Sequence, residues 1–148
     1  MVRIGTFFLL VSAALFGSVA AQVENDNPSG KTLYVNYPSC DSYKCQVIWR
    51  PGQNVYVNWL KAPKGSLKIE LMPQEGTTGL KTYTVTDKVG GVHNKNTCNN
   101  MGTKEKCGRF DWTVPSNVKP GQYMIVVTSL TTGQQGYTDT VVIKKKKN

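Results

Sequence analysis

The residues of this 148-residue chain with which chemistry could be done are nine carboxylates, one histidine, four cysteines and a scatter of hydroxyls. The carboxylates are Glu24, Asp26, Asp41, Glu70, Glu75, Asp87, Glu105, Asp111 and Asp139. Hydrolysis of a glycosidic bond needs two such groups roughly 5–10 Å apart, one as acid and the other as base or nucleophile. Glu70 and Asp111 stand on alternating stretches that turn both outward, where they could become neighbours, but solvated strand charges explain them equally well. His93 has no flanking nucleophile or acid, and Ser116 follows Pro115 without a nucleophile-elbow pattern. Metal-dependent polysaccharide oxidation would need a histidine at the mature N-terminus, where Ala21 or Gln22 stands instead. No catalytic set, metal site or cofactor is expected.

Cys40 and Cys45 are separated by four residues, and Cys98 and Cys107 by eight. Neither spacing fits a zinc template, and His93 adds no second imidazole. An even cysteine count in a secreted chain implies disulfides, with three possible connectivities. Local pairs are favoured, Cys98–Cys107 ahead of Cys40–Cys45, each pinning a loop on a sheet. Aromatic side chains are the remaining candidates. Sugar rings stack on flat amphipathic aromatics, and Tyr56, with Tyr34, Trp49 and Tyr83, is expected on outward faces. Ordinary cross-strand packing is the competing explanation. Lys144, Lys145, Lys146 and Lys147, with Lys88, Lys95, Lys104 and Lys106, form a possible contact to an anionic surface, or else a solvated tail.

These residues need a scaffold, and the leader decides where it works. Residues 1–21 carry Arg3, an apolar run from Ile4 to Phe16 and small residues at Ser18, Ala20 and Ala21. That is a secretory signal pattern, and the apolar run is too short to be a comfortable membrane anchor. No second spanning stretch and no lipid-anchor tail follow. Removal of Arg3 leaves 17 basic residues against nine acids, a net charge of +8. Such a balance usually suggests nucleic acid. Secretion argues instead for an anionic wall polymer, an acidic glycan or phospholipid heads. No nucleic-acid partner is expected.

Residues 22–31 read as a flexible leader. From 32 to 144, short runs of period two alternate with turns rich in Gly, Pro and Asn. Strands are predicted over 32–38, 46–49, 54–60, 66–72, 81–86, 109–114, 122–129 and 139–145, with no helix. About seven or eight such strands with one apolar face each predict an all-β, immunoglobulin-like antiparallel β-sandwich. Phe110, Trp112 and Tyr123 are expected in its core. Residues 87–108 read as one long loop, and 145–148 as a basic tail.

The motifs FDWTVP (110–115) and PGQY (120–123), preceded by RPGQNVYVNW (50–59) and SLKIELM (66–72), resemble a fungal family. It is the immunoglobulin-like N-terminal domain of yeast cell-wall-synthesis proteins, the Kre/Knh-like group, which also occurs in Ser/Thr-rich GPI-anchored wall proteins. The resemblance spans about 32–144. It implies a secreted or wall-associated, non-enzymatic protein concerned with β-glucan organisation or binding, and no catalytic residues. The alternative expectation is a small secreted effector-like protein acting on a host or neighbouring cell.

Overall fold

Alternation builds the strands. In SLKIELMP, Leu67, Ile69 and Leu71 are fully buried while Lys68, Glu70 and Met72 are half-exposed, the burial rhythm of a strand with one face on a core. The computed structural model describes residues 33–40, 46–92 and 106–146. Among the described residues there are nine strands and no helix. They are β1 (Tyr34–Tyr37), β2 (Val47–Trp49), β3 (Asn54–Leu60), β4 (Ser66–Pro73), β5 (Tyr83–Gly90), β6 (Cys107–Thr113), β7 (Gly121–Ser129), β8 (Gln135–Tyr137) and β9 (Val141–Ile143).

The strands form two sheets. One has the order β1-β3-β6; the other runs β2-β9-β7-β4-β5, with β8 also on β7. All pairs are antiparallel except β2 and β9, which run parallel. The chain thus places one N-terminal strand in each sheet. This is an immunoglobulin-like sandwich, as the alternation predicts. A further signature is Tyr123 near the start of β7. Its hydroxyl donates to the Lys119 carbonyl at 2.9 Å, four residues upstream, the tyrosine-corner arrangement of such sandwiches. Burial pushes the Tyr123 phenol up to about 12, with the neighbouring Tyr83 adding to the shift.

Val35, Val55, Val57, Trp59 and Val114 meet Leu67, Ile69, Leu71, Tyr123, Ile125, Val127, Val141 and Ile143 in one core. Phe110 and Trp112 pack against its margin and stay half-buried, because β6 is the edge strand of its sheet. Trp59 is fully buried, and its indole N–H donates to the Gly91 carbonyl at 2.7 Å.

Three boundaries differ from the sequence reading. β5 continues to Gly90 and β6 begins at Cys107, so only part of the expected 87–108 loop is loop. Residues 93–105 lie outside the described residues, as do the signal segment and the leader. The last predicted strand, 139–145, is only β9, and an unpredicted strand, β8, precedes it: β8 pairs with Val126–Thr128 and β9 with Gly121–Tyr123 along the same edge of β7. Gly136 lets β8 close in, since a Cβ there would lie 2.9 Å from the Leu33 carbonyl oxygen.

Candidate functional site

The inward alternation of Val55, Val57 and Trp59 turns Asn54, Tyr56 and Asn58 to the outer face of the three-stranded sheet. On β6, Thr113, Asp111 and Arg109 are their register partners in that order. On β1, a register shift between Val35 and Tyr37 brings Asn36 and Tyr37 to the same side. The buried Asn58 Nδ2 donates to Asn36 Oδ1 at 2.9 Å and ties β3 to β1. The result is a polar and aromatic face built from three strands.

Its centre is a stack. The Tyr37 and Tyr56 rings lie 4.0 Å apart between centroids and 11° from parallel. The Arg109 guanidinium carbon sits 3.9 Å from the Tyr56 centroid. Because β3 lies between β1 and β6, Tyr56 is held between the other two side chains. Asp111 fixes the guanidinium: its Oδ1 accepts from Arg109 Nε at 3.1 Å and Nη2 at 2.7 Å. Each contact is modest alone, about 0.5–1 kcal/mol for an exposed cation–π pair and under about 1 kcal/mol for a surface ion pair. Together they fix these side chains in advance of any ligand. The Asp111 hydrogen bond holds the Arg109 pKa above its usual value, so this cation is permanent. Burial raises the Tyr37 phenol, with Tyr56 reinforcing the shift.

Beside the stack runs a groove of about 370 Å³ lined by Asn54, Val55, Tyr56, Arg109, Asp111, Trp112 and Thr113. At its rim Thr113 Oγ1 donates to Asn54 Oδ1 at 2.7 Å, which leaves the Asn54 NH₂ as a donor. The Asp111 side chain is 72% exposed and offers an acceptor. A groove with aromatic side chains in its wall and donors and acceptors at its edge suits a ligand with an apolar face and a polar rim.

The expected aromatic candidates divide. Tyr56 is at the centre of the face. Tyr34 is half-buried on the same face, against Leu60 and Cys107 at its other end. Trp49 and Tyr83, expected outward, are buried instead. Trp49 is 3% exposed and meets Trp112 edge-on, because β2 turns its third residue into the core. Tyr83 is 8% exposed and edge-on to Tyr123; its hydroxyl donates to the Asn117 carbonyl and accepts from the Lys119 amide. Neither ring can serve as a surface platform. Tyr37 and Arg109 were not among the expected residues.

Glu70 and Asp111 are not brought together. They project from the outer faces of opposite sheets, with the core between them. Each binds a cation two residues away on its own strand, Glu70 with Lys68 and Asp111 with Arg109, both at 2.7 Å. Ser116 lies in an exposed turn, and His93 falls outside the described residues. No group of three or more His, Cys, Asp or Glu side chains that could hold a metal occurs among the described residues. Nor does any helix there have the length and apolarity to cross a membrane.

Among the described residues there is no free cysteine, and Cys40 and Cys107 are each disulfide-bonded. Cys45 and Cys98 lie outside the described residues, as does Lys147, whereas Lys144, Lys145 and Lys146 are exposed. No protein-family model matches the chain, and no curated protein does.

Proposed function

We propose that the protein is a secreted, non-enzymatic β-sandwich of the fungal cell wall that binds wall polysaccharide, β-glucan in the first place, on the outer face of its three-stranded sheet. The observation that carries this reading is the Tyr37–Tyr56–Arg109 stack beside the groove. A pyranose has an apolar C–H face and a rim of hydroxyls. With both faces of the Tyr56 ring taken by Tyr37 and Arg109, the former lies over the edge of the stack and the groove wall at Trp112, and Asp111, Asn54 and Thr113 reach the latter. Because the side chains already hold one another, little rotamer freedom is lost on binding. The separation of Glu70 from Asp111 supports binding without hydrolysis. The signal pattern, the resemblance to the Kre/Knh-like domain and the even count of four cysteines support a wall or extracellular location.

A pull-down on insoluble β-1,3-glucan and chitin tests the reading. Retention that falls at least tenfold in Tyr56→Ala and in Arg109→Gln supports it. No retention of the wild type on either polymer, at low or high salt, refutes it.

The second reading is an effector-like protein that acts on a host or neighbouring cell. Tyrosine and arginine are enriched at protein interfaces, and the same face presents both. A tagged protein that stays in the wall fraction supports the first reading. One that diffuses freely supports the second.

A further inference from the structure

The chain stays on the sheet beyond its last strand. The Lys144 amide donates to the Trp49 carbonyl at 2.9 Å, which extends the parallel β2–β9 ladder by one residue. Next, Arg50 Nη1 donates to the Lys145 carbonyl at 2.7 Å. Lys144, Lys145 and Lys146 are all exposed. The start of the lysine run is therefore fastened to the sheet edge by an arginine, and is not a frayed end. Extended backbone rises about 3.3 Å per residue with alternating sides, so Lys144 and Lys146 point the same way about 7 Å apart.

Four cations are thus gathered at one corner. Two strand cations elsewhere are neutralised locally, Lys68 by Glu70 and Arg109 by Asp111. Among the described residues Arg50, Lys144, Lys145 and Lys146 have no ion-pair partner. Like charges held side by side repel one another and leave a positive potential open to an anion.

The corner is also next to the groove. Arg50 opens a tight turn in which its amide donates to Gln53 Oε1 at 3.0 Å and the Gly52 amide to the Val114 carbonyl at 2.7 Å. The turn delivers Asn54 directly to the groove wall. Four residues of chain span at most about 14 Å, so one linear polymer can reach both places.

We propose that the site also takes an acidic polysaccharide and holds it more tightly than the neutral glucan. Its sugar rings occupy the groove, and its phosphate or carboxylate substituents lie against Arg50, Lys144 and Lys146. The groove half of this inference rests on the sugar-binding reading above. A short array of cations within about 14 Å of a sugar-sized groove favours a charged glycan over a membrane surface, which would call for a broad basic plane.

The test compares wild type, an Arg50→Gln/Lys144→Gln/Lys146→Gln variant and Tyr56→Ala. The probes are neutral β-1,3-glucan, polygalacturonate, a phosphomannan and phosphatidylserine vesicles. The wild type should bind one of the two acidic polymers more tightly than the neutral glucan, and less tightly as salt rises. The triple variant should lose about fivefold in acidic-polymer affinity per charge removed, the usual strength of a basic residue near an anionic surface, with neutral-glucan binding unchanged. Equal binding of acidic polymers by the triple variant and the wild type would overturn the proposal, and so would binding to the vesicles alone. Acidic-polymer binding that needs the corner but ignores Tyr56→Ala would refute the groove reading and leave the cationic corner standing.

Discussion

Gly108→Ala should destabilise this protein, although its usual effect would be the reverse. Gly108 sits opposite Trp59 in the β3–β6 register. A Cβ added there would lie 2.3 Å from Trp59 Cε2 and Cζ2 and 2.5 Å from Nε1. Ordinary contact between carbons is about 3.5–4.0 Å, so the overlap exceeds about 1 Å. The indole has no room to yield, being fully buried and fastened to the Gly91 carbonyl at 2.7 Å. Overpacking of this kind costs about 1–3 kcal/mol, and tilting the indole off its hydrogen bond costs about 1 kcal/mol more. Restricting the unfolded chain returns about 0.4–1 kcal/mol. The net expectation is a loss of about 2 kcal/mol, or about 6–8 °C in Tm for a domain of this size. Urea unfolding followed by tryptophan fluorescence measures it. Gly133→Ala is the control for backbone strain alone, since Gly133 has φ +73° and open space around it; it should cost about 1 kcal/mol. A Gly108→Ala protein as stable as the wild type, or more so, would show that the close approach of β6 to Trp59 is wrong. It would also undermine the placement of Arg109, the next residue, over Tyr56.

Tyr123 links the fold to pH. Its phenol is raised by burial to about 12 in the folded protein against about 10 in the unfolded chain. Below about pH 10 both states hold the proton, so this contribution to stability is fully present; between about pH 10 and 12 the unfolded chain loses its proton first and stability falls. Unfolding free energies across that range should show a steeper decline in the wild type than in Tyr123→Phe, and parallel declines would contradict the burial argument. Asn36→Ala removes the acceptor from the buried Asn58 Nδ2 and should cost about 1–3 kcal/mol, read by the same unfolding assay; a change under about 0.5 kcal/mol would show that the pair is not structural. Peptide mapping without reduction should recover Cys98 joined to Cys107 and Cys40 to Cys45, and a Cys40–Cys98 peptide would refute local pairing.

The sandwich was legible because its strongest strands obey one rule. In SLKIELM and NVYVNWL every second residue is large and apolar, and burial follows that pattern through β4 and as far as Val57 in β3, beyond which Asn58 and Leu60 are buried as well. β8 was not legible, because QGY overlaps TTGQQ and Gly136 reads as turn; what makes it a strand is its pairing back onto Val126–Thr128 of β7, with no alternating side chains to announce it. The wrong faces for Trp49 and Tyr83 have a similar origin. Period two gives two faces, but in a short run such as VIW, with no polar residue to mark solvent, it does not say which one is inside. Glu70 and Asp111 were each read correctly as outward. Their distance depended on which sheet each strand joins, and topology decides that. Within the site, Tyr56 followed from alternation on β3. Tyr37 did not, because a register shift in β1 turns it outward beside Asn36. Arg109 belongs to RFDWTV, where the apolar alternation marks Phe110 and Trp112 and gives a cation no distinguishing signal. The tyrosine corner had a local signal, KPGQY, in which the turn sets Lys119 four residues before Tyr123.

The most direct measurement is a backbone-amide NMR titration of the protein with a soluble β-1,3-glucan oligosaccharide. Saturable shifts should concentrate at Asn54, Tyr56, Arg109, Asp111 and Thr113, with the β4 and β5 amides unmoved. Shifts confined to the six-stranded sheet, or none at millimolar oligosaccharide, would contradict a polysaccharide site on the Tyr37–Tyr56–Arg109 face.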